Sequence, residues 1–167
     1  MAAFAGTLIF SMCSKNQPKT DHQIYIGVAC YDQKDTFIGE LLDSFKEECS
    51  SMEKQGYAIS MTIMDAAKSQ RVQNDQIKQM INDGSNVLCV NLADRTEPSE
   101  IIDAAREKDI PIIFFNREPV EEDLMRWDKL YYVGGKAKQS GELQGELAAN
   151  YIKDNKKVDR NNDGKIQ

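Results

Sequence analysis

Asp35, Phe37 and Asn91 are the residues whose types and positions point most directly to chemistry. Asp35 and Asn91 each follow an apolar run, YIGVAC and NVLCV respectively, and Phe37 stands two residues beyond Asp35. A carboxylate offers acceptor oxygens, a primary amide offers both an acceptor and donors, and a neighbouring aromatic ring offers a flat apolar face. That combination suits a ring of hydroxyl groups. It requires the two apolar runs to be strands of one parallel sheet, because the carboxyl ends of such strands share a rim where small ligands bind. Asp65 follows a third apolar run in the same way. A plainer alternative stays open: Asp35 caps the helix that follows it and Asn91 merely ends a strand.

The second constellation is the tail Val158 to Gln167, VDRNNDGKIQ. Asp159, Asn161 and Asp163 take positions 1, 3 and 5 of a loop, and Gly164 takes the position where a calcium loop turns sharply. Lys165 would offer its backbone carbonyl at position 7 and Gln167 its side chain at position 9, while the acidic residue of position 12 lies beyond the last residue given. Bound Ca2+ is therefore expected, in an incomplete shell. No glycine-rich phosphate loop, nucleophile elbow or paired-histidine zinc motif occurs. The single histidine, His22, precedes the first apolar run in a polar stretch, and the four cysteines have no CxxC spacing. Hydrolytic and redox chemistry are thus not indicated, and no enzyme is expected. A net charge of −6, with no strongly basic stretch, argues against a nucleic-acid partner.

The elements that must position these residues follow from periodicity. Strands are predicted over 25–30, 57–64, 86–92, 110–115 and 130–133, and helices over 36–56, 69–81, 97–108 and 140–153. Gly56 and Gly84 terminate the first two helices, and Pro98 suits the start of the third. The segment 116–128, rich in acidic residues, reads as an exposed connection, and Gly141 and Gly145 as close-packing positions within the last helix. Alternation of strand and helix predicts an α/β fold, a doubly wound parallel sheet with right-handed crossovers. The 167 residues suffice for one ordinary lobe.

Three regions are expected: 1–23, a signal or lipoprotein-like segment with a polar tether; 24–157, the α/β lobe; and 158–167, the calcium loop. The apolar run before Cys13 is too short to span a bilayer and fits the core of an export signal, with Cys13 where a lipid-bearing cysteine would sit. It departs from that pattern in lacking a basic residue ahead of the run and in having Met12 where a small residue is preferred.

Taken together, IGVACYDQKDTF, QNDQIKQMINDG, VLCVNLAD, IPIIFFNREP, LYYVGGKAKQSGELQGELAANY and DRNNDGKIQ resemble the amino-terminal lobe of the bacterial galactose/glucose-binding proteins. These are type I periplasmic binding proteins serving ABC sugar importers. The resemblance runs from about Ile24 to Gln167. It implies a hexose ligand, D-galactose or D-glucose, with Asp35 bonding hydroxyls, Phe37 stacking on one sugar face and Asn91 adding a further hydroxyl contact. It also implies calcium on Asp159, Asn161, Asp163, the Lys165 carbonyl and Gln167. The partners it implies are the membrane permease of an importer and a chemoreceptor; a monomer is expected, exported to the periplasm or lipid-anchored at the outer face of the cell membrane. Two departures are visible: VGGK replaces a VGTD-like turn, and the sequence stops before the second lobe and the returning strand that the family supplies. A fragment of this kind would bind its sugar weakly. The effector core of a LacI-type transcription regulator is the alternative with the same fold. It should begin with a helix-turn-helix, whereas this chain begins with an apolar run.

Overall fold

The first strand, β1 (Gln23–Cys30), is covered on both faces at its carboxyl end, where its last five residues are buried. At its centre Gly27 packs closely: a Cβ there would lie 2.9 Å from Leu88, Met80 and Ser85 side-chain atoms alike, so a larger residue would force those side chains to move. The computed structural model describes residues 23–155 together with 159, 161 and 163–165. The export-signal and Cys13 readings, like Gln167, lie outside the described residues.

The remaining elements are α1 (Thr36–Lys54), β2 (Ala58–Asp65), α2 (Gln70–Asn82), β3 (Val87–Val90), α3 (Ser99–Glu107), β4 (Ile112–Phe115), α4 (Glu121–Leu124), β5 (Leu130–Val133) and α5 (Ala137–Asp154). All pairings are parallel, in the order β2-β1-β3-β4-β5. The doubly wound expectation is met, and the chain order reverses between β1 and β3. At such a reversal neighbouring crossovers leave on opposite faces, which opens a crevice at the carboxyl ends.

Each face of the sheet has its own core. Ala29, Leu88, Val90, Ile112 and Phe114 pack with Ile77 and Met80 of α2 and Ile101, Ile102 and Ala105 of α3. On the other face Val28, Cys30, Cys89 and Phe115 meet Ile38, Leu42 and Cys49 of α1. Burial of Cys30 and Cys89 among apolar neighbours pushes their thiols up to about 12 and about 11, so both are inert, protonated packing residues. Asp35 and Ser69 cap α1 and α2 through their side chains. Pro98 occupies the cap position of α3, one residue before the helix proper.

Two expectations are corrected. The segment 116–128 is not simply an exposed connection: Pro119 is buried, α4 forms one turn, and Leu124 and Trp127 pack against the core below α3. Their three-residue spacing within an acidic run hid a short apolar anchor. Helix α5 begins a turn earlier than predicted and buries none of its residues. Gly141 and Gly145 face open space and serve no close contact. Leu143, Leu147 and Tyr151 are exposed, Leu147 to 70%. Between α1 and β5 the sheet face stays open as an apolar groove of about 510 Å³, with Leu41, Phe45, Ile113, Phe115 and Val133 among its walls. No helix among the described residues is long and apolar enough to cross a membrane.

Candidate binding site

The turn after β1 is built from its own carboxylates. Asp32 is buried, accepting the Lys34 N–H at 2.9 Å and pairing with Lys68 Nζ at 3.1 Å. These two partners, the backbone N–H first, hold its carboxyl below the usual carboxylate range. Asp35 uses Oδ1 to accept the Ile38 N–H at 3.1 Å and Oδ2 to accept the Tyr31 hydroxyl. The Tyr31 bond, followed by that N–H, likewise lowers the Asp35 pKa. Capping is therefore real, yet it does not exclude ligand contact, because each carboxylate oxygen retains a further acceptor site. Phe37 stands next to it, 60% exposed. Its ring borders both this polar turn and the apolar groove between α1 and β5, so a flat apolar face is offered at the mouth of the cleft.

The third expected contact is placed differently. Asn91 lies one residue past β3 and is 0% exposed. Its Nδ2 donates to the Phe115 carbonyl at 3.0 Å and to Asn116 Oδ1 at 3.2 Å, while its Oδ1 is buried without a partner among the described residues. In this arrangement the Asn91 amide is covered and supports the rim from beneath. What it supports is Asn116, which is exposed and takes a left-handed backbone conformation (φ 60°). Asparagine tolerates that conformation better than most residues, and here it turns the side chain outward at the end of β4.

Arg117 follows. Its Nη1 donates to the carbonyls of Leu92 and Ala93 at 2.9 and 3.0 Å, and its guanidinium lies 4.7 Å from the centre of the Tyr31 ring. Tyr31, Asp35, Phe37, Ile38, Asn116 and Arg117 together line an open cleft of about 290 Å³. That is near the lower end of the range for small-molecule sites, roughly 300–1,000 Å³. Asn116, Arg117 and Tyr31 were not singled out from the sequence. The signal was present: Asn116 and Arg117 follow the apolar run IPIIFF as Asp35 follows its own strand, and the same carboxyl-end rule applies to both. Asp65, by contrast, accepts the Gln33 and Ala67 N–H groups at 3.3 and 2.9 Å and shapes the turn after β2.

In the tail, Asp159 accepts the Asp163 and Gly164 N–H groups at 3.2 and 2.9 Å, and Asp163 accepts the Lys165 N–H at 2.8 Å. Asn161 donates to Asp163 Oδ2 at 2.9 Å, and Gly164 has φ 76°. The donors are hard oxygens, as calcium prefers, but only two are carboxylates. Among the described residues no group of three or more His, Cys, Asp or Glu side chains could hold a metal ion.

A parallel sheet whose order reverses beside a polar cleft, walled by loops of separate crossover units, defines a ligand-binding lobe of the open α/β type. The periplasmic binding protein domain family matches residues 26–166, and the chain belongs to it. It is 34% identical over 142 residues to the D-galactose/methyl-galactoside binding periplasmic protein MglB of Haemophilus influenzae, covering 85% of this chain and 42% of that protein. Among solved structures it is similar to an ABC transporter solute-binding protein from Bacillus halodurans with bound myo-inositol (TM-score 0.67, 27% identity, 78% of this chain, 42% of that one). It is also similar to the fructose-binding periplasmic domain of a hybrid two-component system (TM-score 0.63, 25% identity, 78% of this chain, 40% of that one). The chain thus spans less than half the length of these relatives. The family is one of periplasmic solute-binding proteins, which bind their solutes without converting them, and its place is the periplasm or the adjoining membrane surface.

Proposed function

We propose that this lobe is one wall of a carbohydrate site, in a protein that delivers a hexose, D-galactose or D-glucose, to the membrane permease of an ABC importer. The observation that carries this reading is the convergence of Asp35 and Phe37, after β1, with Asn116 and Arg117, after β4, on a single cleft. An acceptor pair, an amide, a guanidinium and a flat apolar face answer the alternating edges and faces of a pyranose. Similarity to a galactoside-binding relative, to a domain named as fructose-binding and to a solute-binding protein named with bound myo-inositol supports a polyhydroxylated ligand.

One wall alone binds weakly, at about millimolar, because half the contacts must still offset the whole entropic cost of immobilising the sugar. Backbone amide NMR during titration with galactose, glucose, fructose and myo-inositol is expected to give saturable shifts confined to residues 31–38 and 116–118. Asp35→Asn should weaken binding by roughly tenfold or more, since a charge-assisted acceptor is lost. Lack of saturable shifts with every one of these polyols would overturn the reading. The pH dependence has a definite sign. Asp35 is ionised down to below the ordinary carboxylate range, so binding should hold through neutral and mildly acidic pH and fall only as the pH drops through that depressed value.

We further propose calcium for the tail loop, supported by the spacing of Asp159, Asn161 and Asp163 and by the left-handed Gly164 at the sharp turn. With two carboxylates among these loop donors the affinity of this chain should be about 10⁻³ M or weaker, near the lower limit of calcium loops. Calcium titration followed by the Gly164 amide resonance should give a shift that Asp159→Ala removes. A resonance indifferent to calcium would refute it.

A further inference from the structure

The groups that line the cleft share one neighbour. Tyr31, the first residue after β1, donates its hydroxyl to Asp35 Oδ2, and its ring lies 4.7 Å beneath the guanidinium of Arg117. Arg117 is pinned from the other side by the Leu92 and Ala93 carbonyls. One side chain therefore touches a carboxylate from the β1 turn and a cation from the β4 turn, the two opposite charges of the rim. Resting on the carbohydrate reading of this cleft, we propose that Tyr31 is a positioning residue: it holds Asp35 and Arg117 apart and in fixed orientation, so that both remain available to sugar hydroxyls.

The chemistry favours a phenol for this task. An aspartate and an arginine on the same rim would otherwise collapse into an ion pair, each satisfying the other and neither free for a neutral ligand. A phenol is neutral at physiological pH; its O–H orients the carboxylate without cancelling the charge, and its π-face attracts the guanidinium without consuming an N–H. No direct Asp35–Arg117 salt bridge forms among the described residues. The charged group that faces Asp35 is Lys68 from the turn after β2, with the Phe37 and Ile38 N–H groups of α1 completing its surroundings, while Asp32 and Arg117 face the Tyr31 hydroxyl. The same hydroxyl contact raises the Tyr31 pKa, as expected for a phenol donating to a carboxylate.

The two roles separate by substitution. Tyr31→Phe keeps the ring under Arg117 and removes the hydroxyl; Tyr31→Leu removes both. The test follows the Asp35 carboxyl carbon by NMR across an acid titration, and galactose binding at neutral pH, in the wild-type chain and both variants, with circular dichroism to verify folding. Tyr31→Phe is expected to move the Asp35 titration upward, toward the ordinary carboxylate range, and to weaken galactose binding by roughly five- to tenfold. Tyr31→Leu should weaken it further. A purely structural role for Tyr31 would leave the Asp35 titration unmoved. Wild-type binding with Tyr31→Phe unaltered in both readouts would overturn this proposal alone. No binding by the wild type would overturn the carbohydrate reading and this proposal with it, and the Asp35 titration would then still tell whether the hydroxyl fixes the carboxylate.

Discussion

Gln73→Leu is expected to lower the free energy of unfolding by about 2–4 kcal/mol, read as a drop in urea midpoint with little change in slope, because leucine leaves buried backbone groups without partners. Gln73 is 0% exposed and sits on α2, yet its amide belongs to the rim. Nε2 donates to the Asn91 carbonyl at 2.9 Å and, more distantly, to the Ala29 carbonyl; Oε1 accepts the Ala93 N–H at 2.9 Å. These are the ends of β1 and β3 at the point where the sheet order reverses. Leucine is similar to glutamine in volume though shorter and branched, so most of the deficit should reflect the lost polar contacts. A loss below about 0.5 kcal/mol, the size of an ordinary surface substitution, would show that water or a small backbone shift replaces these bonds. Because Gln73 holds the Asn91 carbonyl and the Ala93 N–H, on either side of Leu92, and the Leu92 and Ala93 carbonyls anchor Arg117, rim amide resonances should shift in this variant even where the lobe stays folded.

Phe114→Ala should be more severe, about 3–5 kcal/mol, since both the transfer energy of a phenyl ring and the cavity left behind count against the fold. Phe114 is the largest fully buried side chain, at 0% exposure in the middle of β4, in the cluster formed with α2 and α3. A lobe of this size has roughly 5–15 kcal/mol in hand, so the variant should melt far lower or fail to accumulate. Phe114→Leu, which keeps most of the volume, should recover most of the loss. If the alanine variant melts within a few degrees of wild type, the ring is not the keystone of that face.

How much of this was visible in the residues differs between fold and site. The strands were legible because a parallel sheet buried on both faces demands continuous apolar runs such as IGVAC and IPIIFF, and the helices because their caps and terminators are local. Asp35 and Phe37 were legible for the same reason: they follow the first strand in the turn where a ligand rim must lie. Two polar residues, Asn91 and Asn116, follow adjacent strands, and sequence alone does not say which is outer. The left-handed turn at Asn116 decides it, putting one amide in solvent and leaving the other beneath. Arg117 was passed over because its segment was judged by its acidic neighbours, whereas its guanidinium reaches back to the β3 turn through contacts that only three dimensions bring together. The amphipathic face of α5 was also readable, but whether anything covers it was not.

That last helix sets how the lobe distributes its stability. Of its 18 residues none is buried, so its backbone ladder has little beyond its own propensity to sustain it, and isolated helices of this length are marginal in water. Such a segment is expected to exchange its amides faster than the strands, which are protected by the core. A melting temperature of this chain should therefore report the sheet and its two cores, and amide exchange in the residues after Gly135 is the measurement that reads the helix.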